Sequence, residues 1–290
     1  VLEDAKKAHI PIILVNNGVD TDDSSLYSCM LGSDYGKQMK KAGKWLDEYL
    51  KEEDEKKAEK EKAASEAPTQ EESEQTDSED TEVNTDSSKA TDSSASIFDK
   101  IMKSSSTAKD ETDSTEEEQT EEDFTIKIAA IQESIGSEEQ LMRAQGYQTM
   151  LERYSDWEMV AQQTGDNSRE EAEKVMKLFL EQEPDLRVVF AESDEMALGA
   201  IDAIEKSGKT CGEDGDIIVI SFGGSKAGIE AVKEGKLNVT FECNPGQGPK
   251  AAELIQRLES DISIDKEQYV EETYFDGTMD LDEIIENRTY

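Results

Sequence analysis

Two rhythms of apolar and polar residues run along this chain. Short apolar runs at Ile10–Val15, Phe124–Ile131, Glu158–Gln162, Arg187–Ala191, Asp216–Ser221 and Leu237–Phe241 predict strands. Between and after them, apolar residues recur every three or four positions and predict helices over Ser137–Arg153, Ser168–Gln182, Asp194–Ser207, Lys226–Glu234 and Pro245–Glu259. The runs Val188-Val-Phe and Ile217-Ile-Val-Ile are continuously apolar, as strands covered on both faces should be. Strand then helix, repeated with short connections, predicts an α/β chain with a parallel sheet wound on both faces. Local signals agree with these bounds. Glu170 and Glu171 suit the positive start of the helix after Thr164-Gly-Asp-Asn-Ser168. Gly208 and Gly235 stand just past helix ends, where a left-handed cap is needed.

A further helix is expected from about Asp34, with Tyr35, Met39, Ala42, Leu46 and Tyr49 forming one stripe. The stripe stops at Leu50, although Glu, Lys and Ala continue to about Ala64, which predicts a frayed, solvated extension. Composition then changes sharply. Residues 51–123 hold 26 acidic and 9 basic residues, 21 Ser or Thr, and one aromatic, Phe98. Such a tract cannot bury enough apolar surface to offset its ordering entropy, so 51–123 is expected to be a disordered insertion apart from its helix-forming beginning. Its one apolar island, Ser96-Ile-Phe-Asp-Lys-Ile-Met102, reads either as unstructured or as a docking motif.

The formal net charge is −39, which argues against nucleic acid and against an anionic membrane surface. No run of about 18 apolar residues exists to span a bilayer. Cys29, Cys211 and Cys243 have neither metal nor redox spacing, and His9, the only histidine, lies in a connection. A nucleophile–His pair or a His/Cys zinc site cannot be assembled from these, so no enzyme, cofactor or metal is expected. Phe222-Gly-Gly-Ser225 lacks both the GxGxxG spacing and a Walker lysine.

One segment carries a resemblance. Phe190-Ala-Glu-Ser-Asp-Glu-Met-Ala-Leu-Gly-Ala200 is similar to the "A-x-N-D-x-M-A-x-G-A" segment of type I periplasmic sugar-binding proteins. Ala8–Val15, Leu141-Met-Arg-Ala-Gln-Gly-Tyr147, Ile218-Val-Ile-Ser-Phe-Gly-Gly224 and Glu230–Leu237 follow the family in the same chain order. The resemblance is nearest to the ribose and galactofuranose branch that serves ABC importers. It implies two doubly wound parallel-sheet lobes closing on a sugar, with three crossings between them. Residues 1–33 would be the remnant of an N-terminal lobe, 34–50 and 124–241 the C-terminal lobe, 242–268 a return to the first lobe, and 269–290 a tail rejoining the second. The N-terminal lobe would be incomplete, with its first strands, their sugar-stacking aromatics and any targeting signal lying upstream.

The resemblance also implies ligand contacts. Asn16 and Asn17 stand where the family commonly has an Asp-Arg pair, and Asn can both donate to and accept from a hydroxyl. Arg143 stands at a binding Arg. Ser193 replaces an Asn before Asp194, Gly223 replaces an Asp after Phe222, and the Gln or Glu near the third crossing falls on Glu242 or Cys243. Plain structural roles stay open beside these: turn residues for Asn16 and Asn17, a surface charge for Arg143, and helix caps for Ser193 and Asp194. Trp45 and Trp157 read as packing residues.

Three functions follow. The first is a monomeric solute-binding protein of the cell envelope, with a small-molecule sugar as ligand, ABC permease subunits as partners and no nucleic acid. The second is the effector-binding core of a LacI-type repressor, and the third an interaction protein built around the acidic tract.

Overall fold

The computed structural model describes residues 1–65 and 125–290. The disordered insertion expected over 51–123 lies outside the described residues from position 66 onward.

Two parallel sheets carry the chain. The smaller has the order β1-β2-β8, from Ile13–Val15, Cys29–Gly32 and Glu267–Tyr269, all parallel. Helices α1 (Leu2–Lys7) and α7 (Gly248–Glu259) belong with it, and its core is Cys29, Leu31 and Leu254. The larger has the order β4-β3-β5-β6-β7-β9. Its strands are β3 (Ile126–Gln132), β4 (Trp157–Thr164), β5 (Val188–Ala191), β6 (Ile218–Gly223), β7 (Val239–Glu242) and β9 (Tyr274–Asp276). Only β9 runs antiparallel, against β7.

Period-two alternation of side chains splits the larger lobe into two cores. Ile128, Ala130, Val188, Phe190, Ile218, Ile220 and Phe222 meet α2 (Tyr35–Ser65) and α3 (Glu138–Arg153) on one face. Ala129, Ile131, Val189, Ala191, Ile217 and Val219 meet α4 (Arg169–Gln182), α5 (Asp194–Ser207), α6 (Lys226–Lys233) and α8 (Leu281–Asn287) on the other. This is the α/β class with helices on both sheet faces that the sequence predicts. Every residue of β5 is buried, as its unbroken apolar run requires. Gly208 and Gly235 adopt φ of 86° and 72°, the left-handed caps expected of them. Trp45 and Trp157 are buried in the α2–α3 core, so both are packing residues.

The boundary at Leu50 needs correction. α2 continues to Ser65 without a break, so 51–65 is helix rather than disordered insertion. Beyond the apolar stripe, buried Glu53 forms an ion pair with Arg187 Nη2 at the start of β5. Arg187 Nη1 also donates to the carbonyls of Gly215 (2.9 Å) and Asp216 (2.8 Å). A buried charged hydrogen bond replaces apolar packing there.

The chain passes between the lobes three times, at Ser33–Asp34, Cys243–Gln247 and Val270–Thr273. Glu272 ties the three passages together. Its Oε1 accepts from Ser33 Oγ (2.6 Å) and Asn244 N (2.8 Å), and its Oε2 accepts from Gln38 Nε2 (2.8 Å).

Candidate functional site

Parallel strands all end on the same side of their sheet, so side chains at their C-terminal ends gather along one edge. In the larger lobe that edge collects Glu133 after β3, Glu192 and Ser193 after β5, Phe222 and Gly223 at the end of β6, and Cys243 after β7. Arg143 comes up from the second turn of α3, because Ser137 caps that helix and sets its start: Ser137 Oγ accepts from Gln140 N at 3.2 Å.

Arg143 is 1% exposed. Its guanidinium lies between the rings of Tyr35 (4.9 Å to the centroid) and Phe222 (4.6 Å). Nη1 donates to Glu133 Oε1 at 3.2 Å and Nη2 to Cys243 Sγ at 3.6 Å. It is therefore a buried, aromatic-clamped cation and not a surface charge. Burial opposes its charge, but the acidic groups of Cys243, Glu133 and Glu192 outweigh that and raise its pKa.

Asn16 and Asn17 stand at the end of β1 in the smaller lobe. Asn16 adopts φ of 69°, and its Oδ1 accepts from Gln247 Nε2 at 2.6 Å. The Asn17 side chain is exposed. Their loop touches the larger lobe through Gly18, whose N–H donates to Glu138 Oε2 at 3.0 Å at the start of α3. A Cβ at Gly18 would lie 2.9 Å from that same oxygen, the mobile end of the Glu138 side chain.

Ser193 and Asp194 divide their work differently from the expectation. Ser193 is the cap of α5, its Oγ accepting from Met196 N at 3.3 Å. Asp194 does not cap. Its carboxylate accepts from Ser221 Oγ (2.6 Å), Thr240 Oγ1 (2.7 Å) and Ser225 N (2.7 Å), bracing β6, β7 and the start of α6. Gly223 has φ of 147°, and a Cβ there would sit 2.6 Å from Asp194 Oδ2.

Glu242 is turned away from Arg143. Its Oε1 accepts from Arg288 Nη1 and Tyr290 Oη, both at 2.8 Å, and its Oε2 from Thr273 N at 3.2 Å. Burial pushes this carboxyl up, but those hydrogen bonds outweigh it and the pKa is lowered. Alternation explains the choice: Cys243 shares the face of Phe241, toward Arg143, and Glu242 takes the opposite face. Burial raises the Cys243 thiol to about 11, so it is neutral at pH 7. Apart from the strand pairing of Gly223 with Glu242, no hydrogen bond joins any two of the six candidates directly. None of the six lines the surface hollows beside Trp45–Tyr49 or between α2 and α3.

Several residues around Arg143 had no signal in the sequence. Glu133 and Glu192 are two among 70 acidic residues, and only the fold brings them to one guanidinium. Burial raises both carboxyls against the pull of Arg143, Glu192 to about 7. Glu139 Oε1 accepts from Tyr35 Oη at 3.3 Å. Arg143 Nε and Gln247 Oε1 are buried without a hydrogen-bond partner among the described residues, while the Tyr147 hydroxyl and the Glu192 carboxyl interact with each other. Buried polar atoms are ordinarily paired, so a cluster of exceptions marks a place for a polar ligand or water.

Comparison with known proteins bears on the family and the fold. Residues 1–261 match the family described as periplasmic binding protein domain. The ribose import binding protein of Salmonella typhimurium is 34% identical over 133 residues, 46% of this chain and 43% of that protein. The galactofuranose-binding protein of Escherichia coli is 25% identical over 137 residues, 46% of this chain and 42% of that protein. The match thus spans less than half the length of either relative. The binding protein of the arabinose ABC transporter from Shewanella sp. ANA-3, solved with arabinofuranose, superposes with a TM-score of 0.66 at 21% identity. That superposition covers 100% of this chain and 75% of the other, and it shows a shared fold.

Proposed function

The chain belongs to the periplasmic binding protein family, and we propose that it captures a sugar or related polyol between its lobes and delivers it to an ABC permease. The observation that carries this reading is the set of unpartnered polar atoms around Arg143, at the strand ends of one lobe and beside the Asn16–Gly18 loop of the other. Sugar hydroxyls both donate and accept, which suits amides, a guanidinium and carboxylates converging on one volume. Aromatic faces at Tyr35 and Phe222 back that volume.

In this reading Asn16 and Asn17 contact the ligand from the smaller lobe. Arg143, Ser193 and Gly223 contact it from the larger, with Cys243 taking the position first assigned to Glu242 or Cys243. The lobe bounds expected at 241/242 and 268/269 each shift, because Glu242 ends β7 of the larger sheet and Tyr269 ends β8 of the smaller: residues 1–33 and 243–270 form one lobe, and 34–65, 125–242 and the tail from 271 the other. A solute gripped from both sides favours closure, because only the closed state makes both sets of contacts. The protein acts as a single copy in the cell envelope, outside the membrane, and performs no chemistry on its ligand. The relatives named above are import and sugar-binding proteins, which favours transport over the LacI-type repressor core.

Calorimetric titration of the purified chain with a panel of aldoses, ketoses and polyols tests this. Saturable binding of at least one member is expected, and a panel with no binding at all contradicts the reading.

A further inference from the structure

Charge around this cleft is lopsided. Arg143 is the cation acting on Glu133, Glu192, Tyr35 and Cys243, and both its terminal nitrogens are already engaged. Arg288, the other guanidinium near the strand ends, is held by Glu242 and clamped between Phe275 and Tyr290. Against Arg143 stand three carboxylates, Glu133, Glu139 and Glu192, and these also act on one another. The smaller lobe brings amides only: Asn16, Asn17 and Gln247.

The unspent hydrogen-bonding capacity leans the same way. Glu139 uses one oxygen for Tyr35, and its other oxygen has no partner among the described residues. Gln247 Oε1 is a buried acceptor without a donor among the described residues, in a residue 3% exposed, whereas the Glu192 carboxyl interacts with the Tyr147 hydroxyl. Arg143 Nε is a charged donor left over, in a side chain 1% exposed, and Arg288 Nε and Nη2 are left over beside Glu242, on the other face of β7 from Arg143. An ammonium group offers three donors and no acceptor, and beside Glu139 it would meet the free carboxylate oxygen before it met Arg143, which is sealed behind Tyr35 and engaged by Glu133. A carboxylate or phosphate beside Glu139 would meet repulsion, with Arg143 Nε the one unpaired guanidinium donor on that face of β7.

We propose that Glu139, with Glu133 and Glu192 behind it, makes the cleft selective for a sugar carrying an ammonium group over its neutral and carboxylate counterparts. This rests on the reading of the chain as a sugar-binding protein. Glu139 receives the ammonium, because its free oxygen is half-exposed at the start of α3, whereas Glu133 is tied to Arg143 and Glu192 is sealed behind it.

The test is calorimetry on the whole chain with matched trios: D-galactose, D-galactosamine and D-galacturonate, then D-glucose, D-glucosamine and D-glucuronate. A charge-assisted hydrogen bond in place of a neutral one predicts that an amino sugar binds roughly tenfold tighter than its parent. The uronate should bind more weakly than the parent. Added salt should shrink the ammonium preference, and Glu139→Gln should bring the ratio of amino sugar to parent toward one. Should that variant melt early, the wild-type order of the three ligands and its salt dependence still decide. Neutral parents that bind as well as or better than amino sugars overturn the inference and leave sugar capture standing. So does a preference that survives Glu139→Gln in a folded variant. If neither the trios nor the wider panel of aldoses, ketoses and polyols shows binding, sugar capture itself fails and this inference fails with it.

Discussion

A guanidinium that is 1% exposed survives burial only if its neighbours answer its charge, and Arg143 is answered by Glu133, Cys243 and two aromatic rings. Removing it leaves buried Glu192 and partly buried Glu133 without a counter-charge. Arg143→Ala should therefore cost about 3–5 kcal/mol of stability, read by urea denaturation. Arg143→Lys should cost less, since it keeps the charge but loses the planar fork and the stacking. A loss within about 0.5 kcal/mol, as for an ordinary surface site, would mean the cation is not buried as described. Glu192 gives a second prediction. Its carboxyl is raised from 4.5 to about 7 in the folded protein, so between those pH values the native state binds more protons than the unfolded state. The Glu192 contribution is then full below pH 4.5 and is lost as pH rises through 7. Glu192→Gln should flatten the fall in melting temperature over that window, and an unchanged slope would contradict the assignment. Arg143 was legible in the sequence because a motif flanks it. Glu133 and Glu192 were not, since in so acidic a chain only three-dimensional placement distinguishes one carboxylate from another. Glu242 and Cys243 were left open by one position, and strand alternation decides between them.

At the scale of elements, the strands that read clearly were those with an apolar run, buried throughout in β5 and β7 and partly exposed in β1 and β4. All six runs became strands, and the five helices predicted between and after them formed within three residues of their bounds. What escaped was short or set by distant pairing. Strand β8 is Glu267-Gln-Tyr269, with no apolar run, and it exists because β2 offers it an edge. Strand β9 has three residues and pairs antiparallel with β7 across more than thirty positions of sequence. Helix α2 outran its apolar stripe for a related reason, since Glu53 finds Arg187 at the start of β5. If that pair holds the helix, Glu53→Ala should speed amide hydrogen exchange around residues 50–58 while exchange in β6 stays slow. Unchanged protection in α2 would show that helix propensity alone suffices there. Removing one partner also leaves Arg187 partly buried and uncompensated, so a lower denaturation midpoint should accompany the change.

At the scale of the molecule, the loop after β1 of the smaller sheet meets the start of α3 in the larger lobe, and three passages that Glu272 fastens together join the two. The central claim is that a sugar binds there, touching both lobes at once. Hydrogen–deuterium exchange of the whole chain, with and without the tightest-binding sugar, tests this most directly. Added sugar should slow exchange together at Asn16–Gly18 in the smaller lobe and at Glu133–Arg143 and Cys243–Gln247 around the larger lobe's strand ends. Protection confined to one lobe, or centred on the hollow beside Trp45 and Tyr49, would place the ligand elsewhere and contradict the account.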